Sequence, residues 1–212
     1  MDESMKTLYE KKIERAVKAL NANNMDAHFV QDREELLELV KRLVPKGATV
    51  ASGGSMTLNE TGVYDLLMGG DYDFYYRGRV GGDGKPMDVF RQAFLCDWFF
   101  VSSNAITEDG YLYNTDGNAN RVAAMAYGPT NVVVIAGANK IVRDLEEAEA
   151  RMKAIAAPAN CIRLEKKTPC TVTGQCMDCR GEDRICCTTV VQGFQRFKNR
   201  IKVFLLPEDL GY

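Results

Sequence analysis

Apolar and polar positions along the chain follow two periods, one typical of helices and one typical of strands. Helical spacing predicts a first helix over residues 3–23 and a second from Asp32, which can cap it, to Val44. Further helices are expected at 87–96, 119–127 and 142–156. Short apolar runs predict strands at 28–30, 48–51, 73–76, 98–102, 131–136 and 201–205, and Asp109-Gly110 predicts a hairpin.

Strands alternate with helices from about Phe29 to Ala156. This order predicts an α/β fold with a mainly parallel sheet and helices on both faces. The chain has 212 residues, of which 46% are hydrophobic, enough for a core without disulfides. The composition changes after Pro158, so we expect one domain over 1–212 with a cysteine-rich appendage at 161–190.

Several classes of protein are disfavoured by charge and composition. The formal net charge is -2 and the pI about 5.6, so no basic field indicates nucleic acid or an anionic membrane as a partner. The N-terminus lacks the apolar core of a signal peptide and no run is long enough to span a bilayer, so we expect a cytoplasmic protein. His28 is the only histidine, which excludes a zinc hydrolase built on several histidines.

A glycine-rich turn, Gly53-Gly54-Ser55, joins a predicted strand to a helix. Glycines let a ligand approach the backbone, and a helix N-terminus offers free N–H groups to an anion. The alternative is a plain turn. The turn matches neither the Rossmann fingerprint nor the P-loop, and the loop at 78–86 resembles a P-loop only superficially because Arg79 and Pro86 break the pattern. No nucleotide cofactor is evident.

The segment 102–121 follows a predicted strand and is rich in amide and hydroxyl side chains, which read ligands by hydrogen bonding. The candidate ligand-binding residues are Asn104, Thr107, Asn114, Gly117, Asn120 and Arg121. Arg121 opens a helix, where a cation opposes the helix dipole and is easier to understand if it holds an anion. The alternative is that the amides merely satisfy turns.

A third turn, with the candidate ligand-binding residues Asn139 and Lys140, follows the most apolar strand, and Lys140 could add a positive charge to the site. The three turns could meet in one crevice at the carboxyl edge of the sheet. For Lys140 alone, a solvated helix start is the favoured interpretation.

Five cysteines lie within eighteen residues of one another, which in a cytosolic chain favours metal over disulfides. The predicted metal ligands are Cys170, Cys176, Cys179 and Cys186, with Cys187 the alternative to Cys186. Four thiolates suit zinc or an iron–sulfur cluster, and Arg180 and Arg184 would offset their charge. The alternatives are a redox disulfide between Cys176 and Cys179 or merely buried thiols. Cys96 and Cys161 are expected to be single buried thiols.

Four motifs together resemble the LUD domain, the lactate-utilisation protein family of bacteria. They are SGGSMTL at 52–58 followed by Glu60, SNAIT-x-DG-x-L-x-N-x-DG-x-x-NR at 103–121, YGP at 127–129 and AGANKIV at 136–142. The resemblance covers about residues 10–165, and the cysteine-rich tail is similar to that of short single-domain members. It implies a fold like ribose-5-phosphate isomerase, glucosamine-6-phosphate deaminase and the CoA transferases.

The resemblance also implies a link to oxidation of lactate or a related organic acid, with iron–sulfur proteins as partners. Three functional hypotheses follow. The first is binding of a small anionic metabolite in organic-acid utilisation. The second is an isomerase or CoA-transferase-like enzyme acting on a sugar phosphate or acyl-CoA, with Glu60 as base or nucleophile, although Glu60 could instead complete a capping box over 57–60. The third is a non-catalytic electron-transfer or scaffold subunit whose cysteines hold an iron–sulfur cluster. An oligomer is possible.

Overall fold

The computed structural model describes residues 2–81, 84–85 and 87–212. Gly82, Asp83 and Pro86, which belong to the glycine-rich loop at 78–86, lie outside the described residues. Among the described residues, no helix is both long enough and apolar enough to cross a membrane.

The strands of the described residues fall into two sheets. In chain order they are β1 (Asp26–Phe29), β2 (Thr49–Ser52), β3 (Asp73–Tyr75), β4 (Trp98–Val101), β5 (Ala105–Thr107), β6 (Leu112–Asp116), β7 (Asn131–Gly137), β8 (Ile141–Val142), β9 (Thr188–Gln192) and β10 (Ile201–Leu206). The main sheet has six strands in the order β1-β10-β7-β4-β2-β3, and every pairing in it is parallel. The smaller sheet has the order β8-β5-β6-β9.

The helices of the described residues connect these strands. In chain order they are α1 (Glu3–Ala22), α2 (Arg33–Leu43), α3 (Met56–Glu60), α4 (Val63–Met68), α5 (Val89–Gln92), α6 (Asn120–Tyr127), α7 (Leu145–Arg151), α8 (Ala157–Arg163) and α9 (Pro169–Thr173). Asp32 caps α2 by accepting a hydrogen bond from the Glu35 N–H at 2.8 Å, as predicted.

The main sheet is covered on both faces, because successive side chains of a strand point to opposite sides. In β4, Phe99 and Val101 pack in a core with α1, whereas Trp98 and Phe100 pack in a second core with α2, α3 and α4. A strand buried on both faces reads as a continuous apolar run, and β4 and β10 are buried at every position. The predicted α/β fold with a mainly parallel sheet and helices on both faces is therefore confirmed.

The last strand, β10, lies in the middle of the sheet, between β1 and β7. Its carboxyl end is therefore at the centre of the sheet's carboxyl edge. Residues 207–212 follow from there and reach the place where the other strands end, which determines their part in the site described below.

Two predicted helices had wrong bounds. The helix expected at 87–96 is the single turn α5, capped by Asp88. The helix expected at 142–156 begins only at Leu145, because Val142 belongs to β8 and pairs with Thr107. It then continues without a break through a π turn at Met152–Ala156 into α8, so Pro158 stands within a helical run.

The smaller sheet was predicted only in part. Ala105 pairs with Tyr113 across the turn at Asp109-Gly110, which is the predicted hairpin. β8 and β9 were not predicted. β9 follows the cysteines and pairs antiparallel with β6, so that end of the cysteine segment is held by a regular ladder.

Candidate functional site: a cleft at the carboxyl edge of the sheet

A cleft of about 840 Å³ opens at the carboxyl edge of the main sheet. Residues that follow β2, β4, β6 and β7 line it, and the coil after α9 forms its opposite wall. The carboxyl ends of parallel strands meet at one edge, which is where open α/β sheets bind ligands. The predicted site residues that line the cleft are Gly54, Ser55, Asn104, Gly117, Asn120, Arg121 and Lys140.

Lys140 lies on the cleft wall at the end of a 3₁₀ turn that follows β7, and it is only 3% exposed. Its Nζ donates to the Thr57 Oγ1 and to the Ser102 Oγ, each at 3.0 Å. Both partners are uncharged hydroxyls. Within the described part of the chain, no carboxylate forms an ion pair with Lys140. The interpretation of Lys140 as a solvated helix start is therefore wrong, because the side chain turns inward.

Burial lowers the pKa of Lys140 to about 7, because a charged ammonium loses its hydration there. The positive charges of Arg151 and Arg121 lower it further, and the negative charge of Glu60 opposes them in part. Near neutral pH the side chain is accordingly a mixture of ammonium and amine. The ammonium can hold an anion, and the amine can act as a base or nucleophile.

The side chain of Arg121 is fixed by hydrogen bonds to other groups of the same chain. Its Nε donates to the Asp116 Oδ1 at 2.8 Å, and its side chain is 13% exposed. The remaining donors go to the Ser102 carbonyl, the Asn114 Oδ1, the Asn104 Oδ1 and the Thr115 carbonyl, at 2.5–3.1 Å. Asp116 also accepts from the Val122 N–H in the first turn of α6. The negative group that stabilises the Arg121 cation at the start of α6 is thus the carboxylate of Asp116, which belongs to the same chain.

Glycine is required at position 53 because a side chain there would collide with Arg121. A Cβ on Gly53 would lie 2.9 Å from the Arg121 Cδ and 3.1 Å from the Val101 Cγ1. Its carbonyl accepts from the Tyr64 hydroxyl at 2.7 Å. Gly53 does not line the cleft, whereas its neighbours Gly54 and Ser55 do.

Two of the four asparagines of segment 102–121 bind this arginine. Asn104 accepts from both Arg121 and the Thr115 N–H, and Asn114 accepts from Arg121 and the Asn104 N–H. Asn114 is buried away from the cleft. Thr107 lies at the hairpin turn, where its hydroxyl bonds Asp109 and the Tyr111 N–H. The structure therefore brings Asn104 and Asn120 to the cleft, but not Asn114 or Thr107.

Glu60 and Asn139 hold the chain's last residues. The Gly211 N–H donates to the Glu60 Oε2 at 2.8 Å, and the Leu210 N–H donates to the Asn139 Oδ1 at 3.1 Å. A Cβ on Gly211 would lie 3.4 Å from the Lys140 Nζ, so this segment passes directly over the lysine. Neither Glu60 nor Asn139 lines the cleft.

The predicted capping box over 57–60 is wrong. α3 is capped by Ser55, whose Oγ accepts from the Leu58 N–H at 3.3 Å. Thr57 instead turns its hydroxyl towards Lys140 and the Leu210 carbonyl. Glu60 is therefore free of the capping role and binds Gly211.

Sequence reasoning missed four residues of the site. Thr57 and Ser102 hold Lys140. Arg151, buried at the end of α7, donates to the carbonyls of Asn104 and Asn139 at 2.6 and 3.0 Å and so ties two strand-end turns together. Tyr212 lines the cleft, where Arg163 is the side chain next to its hydroxyl. Two of the four had a signal in the sequence, Thr57 within the motif at 52–58 and Ser102 as the start of the polar segment.

The cysteines surround a second, small cavity of about 20 Å³. Those that line it are Cys161, Cys170, Cys176, Cys179 and Cys186, whereas Cys187 is exposed outside it. None of them forms a disulfide. Cys161, expected to be an isolated thiol, belongs to this group. Within the described ranges, no three cysteine, histidine or acidic side chains lie close enough together to hold a metal ion as they stand.

The sequence model of the LUD domain matches residues 13–206. The chain belongs to the LUD-domain family. A crystal structure of a DUF162 family protein from Deinococcus radiodurans is similar with a TM-score of 0.54 and 12% identity, over 93% of this chain and 98% of that one. This likeness shows the shared fold. No curated protein matches the chain. Family membership supports a role related to lactate utilisation.

Arg121 supports the fold of this LUD domain, and its removal should be costly. We expect Arg121→Met to lower the free energy of unfolding by about 3–5 kcal/mol, because Asp116 would stay buried without its counter-charge. Arg163→Met is the matched control, since Arg163 is an exposed cleft residue whose guanidinium contacts the uncharged side chains of Asn160 and Tyr212. Urea unfolding measures both. Equal stability of the two variants would contradict the structural role of Arg121.

Lys140 gives the stability of the LUD domain a pH dependence of definite sign. Its pKa is about 7 when folded and near 10.5 when unfolded, so between these values the unfolded chain binds more protons. The free energy of unfolding should therefore rise with pH above about 7, by several kcal/mol in total at about 1.4 kcal/mol per pKa unit. Urea unfolding at pH 6 and pH 9 should show this rise in the wild type and a smaller one in Lys140→Met. The same pH dependence in both proteins would refute the assignment.

Proposed function

We propose that the cleft binds a small organic acid and that the carboxylate of this acid pairs with the Lys140 ammonium. The observation that supports this most is the burial of Lys140 against two hydroxyls with no carboxylate partner among the described residues. A buried charge is costly unless it is paired. An anionic ligand would supply the missing partner, and its charge would raise the lysine's pKa again.

The charges around the cleft support an anion. Arg121 and Asp116 neutralise each other, so they leave the balance unchanged. Of the other charged side chains that line the cleft, the cations are Arg77, Lys140, Arg163, Lys166 and Arg184, and the acids are Glu182 and Asp183. Asp183 pairs with Lys166, so these two charges also cancel, and four cations remain against the single acid Glu182. The cleft therefore attracts negative charge.

The uncharged groups beside Lys140 suit an acid that carries a neighbouring hydroxyl or carbonyl. Ser102 presents a hydroxyl next to the Lys140 Nζ, and Tyr212 lines the same cleft. A 2-hydroxy or 2-oxo acid has a carboxylate and an adjacent oxygen, and both can accept a hydrogen bond from a hydroxyl group. With the family's link to lactate utilisation, this makes lactate and pyruvate the first ligands to test.

Calorimetric titration with L-lactate and with pyruvate tests the proposal. We expect Lys140→Met to weaken binding at least tenfold, because it removes the paired charge. Lys46→Met, a change on a side chain that is 81% exposed and remote from the cleft lining, should leave binding unchanged. At pH 8, binding should also take up protons, which appears as a dependence of the heat on the buffer. Neither acid binding, or equal binding by both variants, would refute the proposal.

An enzymatic function is the second candidate, and the lowered pKa of Lys140 favours it. The isomerase and CoA-transferase-like alternatives relied on Glu60, but its carboxylate bonds Gly211 and stands outside the cleft. As an amine, Lys140 could attack the carbonyl carbon of a 2-oxo acid and expel water to form an imine.

A link to iron–sulfur partner proteins is also part of the proposed function, and it is supported by the family resemblance alone.

Borohydride reduction in the presence of pyruvate distinguishes this enzymatic role from simple binding. If the imine forms, mass spectrometry should find a stable adduct on the peptide that contains Lys140. Lys140→Arg keeps a positive charge but provides no nucleophilic amine, so it should bind without forming the adduct. Binding of pyruvate by the wild type without any adduct would rule out the imine and leave the binding role intact.

A further inference from the structure

We propose that the small cavity enclosed by Cys161, Cys170, Cys176, Cys179 and Cys186 is a thiolate site for a single zinc ion. This inference is independent of which ligand the cleft takes. It rests on where the thiols lie, on the size of the space between them and on the charge beside them.

The thiols come from three separate pieces of chain. Cys161 lies on α8, Cys170 on α9, and the other three on the coil 174–187 that has neither helix nor strand. Buried cysteine is common as a small apolar residue, but such residues scatter through a core. Here five of the chain's 7 cysteines face one cavity. The two others provide internal comparisons, since Cys96 is buried elsewhere and Cys187 is adjacent in sequence but outside.

The cavity admits one ion. Its volume of about 20 Å³ is close to the roughly 10–15 Å³ that a single water molecule needs. An iron–sulfur cluster contains several iron and sulfide atoms and would need a larger displacement of the surrounding thiols than a single ion. Zinc requires four ligands at about 2.3 Å from sulfur, and a C-x-x-C pair such as Cys176 and Cys179 supplies two of them from one turn.

The thiols surround the cavity without converging, as no three of the described cysteine, histidine or acidic side chains are close enough to hold an ion as they stand. Zinc binding must therefore draw some of them inward. Cys161 and Cys170 are fixed on helices, so the movement falls to the coil 174–187, which is held by separate hydrogen bonds such as that of the Cys187 N–H to the Asp116 carbonyl. The site would consequently close on the metal and become more ordered.

Arg184 lies beside the thiols. Its Nε donates to the Cys186 carbonyl at 2.8 Å, and its Nη1 donates to the Cys179 carbonyl. The guanidinium would offset part of the negative charge that zinc-bound thiolates carry. Arg184 and Ile185 also line the large cleft, so this segment is the wall shared by both cavities.

The experiment is elemental analysis of the full chain, purified without a histidine tag or chelator and then exposed to zinc under reducing conditions. We expect a colourless protein with about one zinc per chain after gel filtration. Cys176→Ser and Cys179→Ser should lose most of the zinc. Cys187→Ser and Cys96→Ser, which change thiols outside the cavity, should keep it.

Cobalt substitution in the wild type removes any dependence on how well the variants fold. Cobalt bound by thiolates in a tetrahedral site gives intense sulfur-to-metal and ligand-field absorption, and zinc should abolish that absorption by displacement. A wild type that retains neither zinc nor cobalt would overturn the proposal. So would zinc retained by both Cys176→Ser and Cys179→Ser, or a brown protein that contains iron, because that would indicate a cluster.

Discussion

The arrangement of the cleft depends on the burial of three cations at the carboxyl edge of the sheet. Lys140, Arg121 and Arg151 come from different elements, and each is mostly removed from water. Arg121 is neutralised by Asp116, and Arg151 is satisfied by two backbone carbonyls. Among the residues that the structure describes, Lys140 has only hydroxyl partners. Because a buried charge must be paired or give up its proton, the unbalanced lysine determines what the cleft can bind and which chemistry it can perform.

The rest of the site keeps this lysine in place. Asn104 and Asn114 bind Arg121, and Arg121 in turn ties the turn after β4 to the end of β6. Glu60 and Asn139 bind the chain's last residues, which pass over the Lys140 Nζ. Most of the polar residues therefore build the cleft and do not face a ligand. An amide-rich loop whose side chains bond the protein itself therefore looks the same in a sequence as an amide-rich surface whose side chains bind a ligand.

Periodicity predicted the parallel sheet well, because strands buried on both faces, such as Trp98–Val101 and Asn131–Gly137, are unmistakable apolar runs. It could not predict that β10 enters the middle of the sheet, since strand order depends on long-range pairing. That insertion is what brings Tyr212 to the cleft. The three strand-end turns were correctly expected to be neighbours, but the direction of each side chain was not. Lys140 was expected in solvent and is buried. Cys161 was expected alone, because α8 brings it to the other cysteines only in three dimensions.

The central claim is that Lys140 is a buried lysine poised between ammonium and amine, and NMR tests it most directly. In protein labelled at lysine, the Lys140 side-chain signals should titrate with a midpoint near pH 7 in the free chain. Addition of lactate or pyruvate should move that midpoint upward, because a paired carboxylate favours the ammonium. A midpoint near the ordinary lysine value of 10.5 in the free chain, unchanged by either acid, would contradict the account.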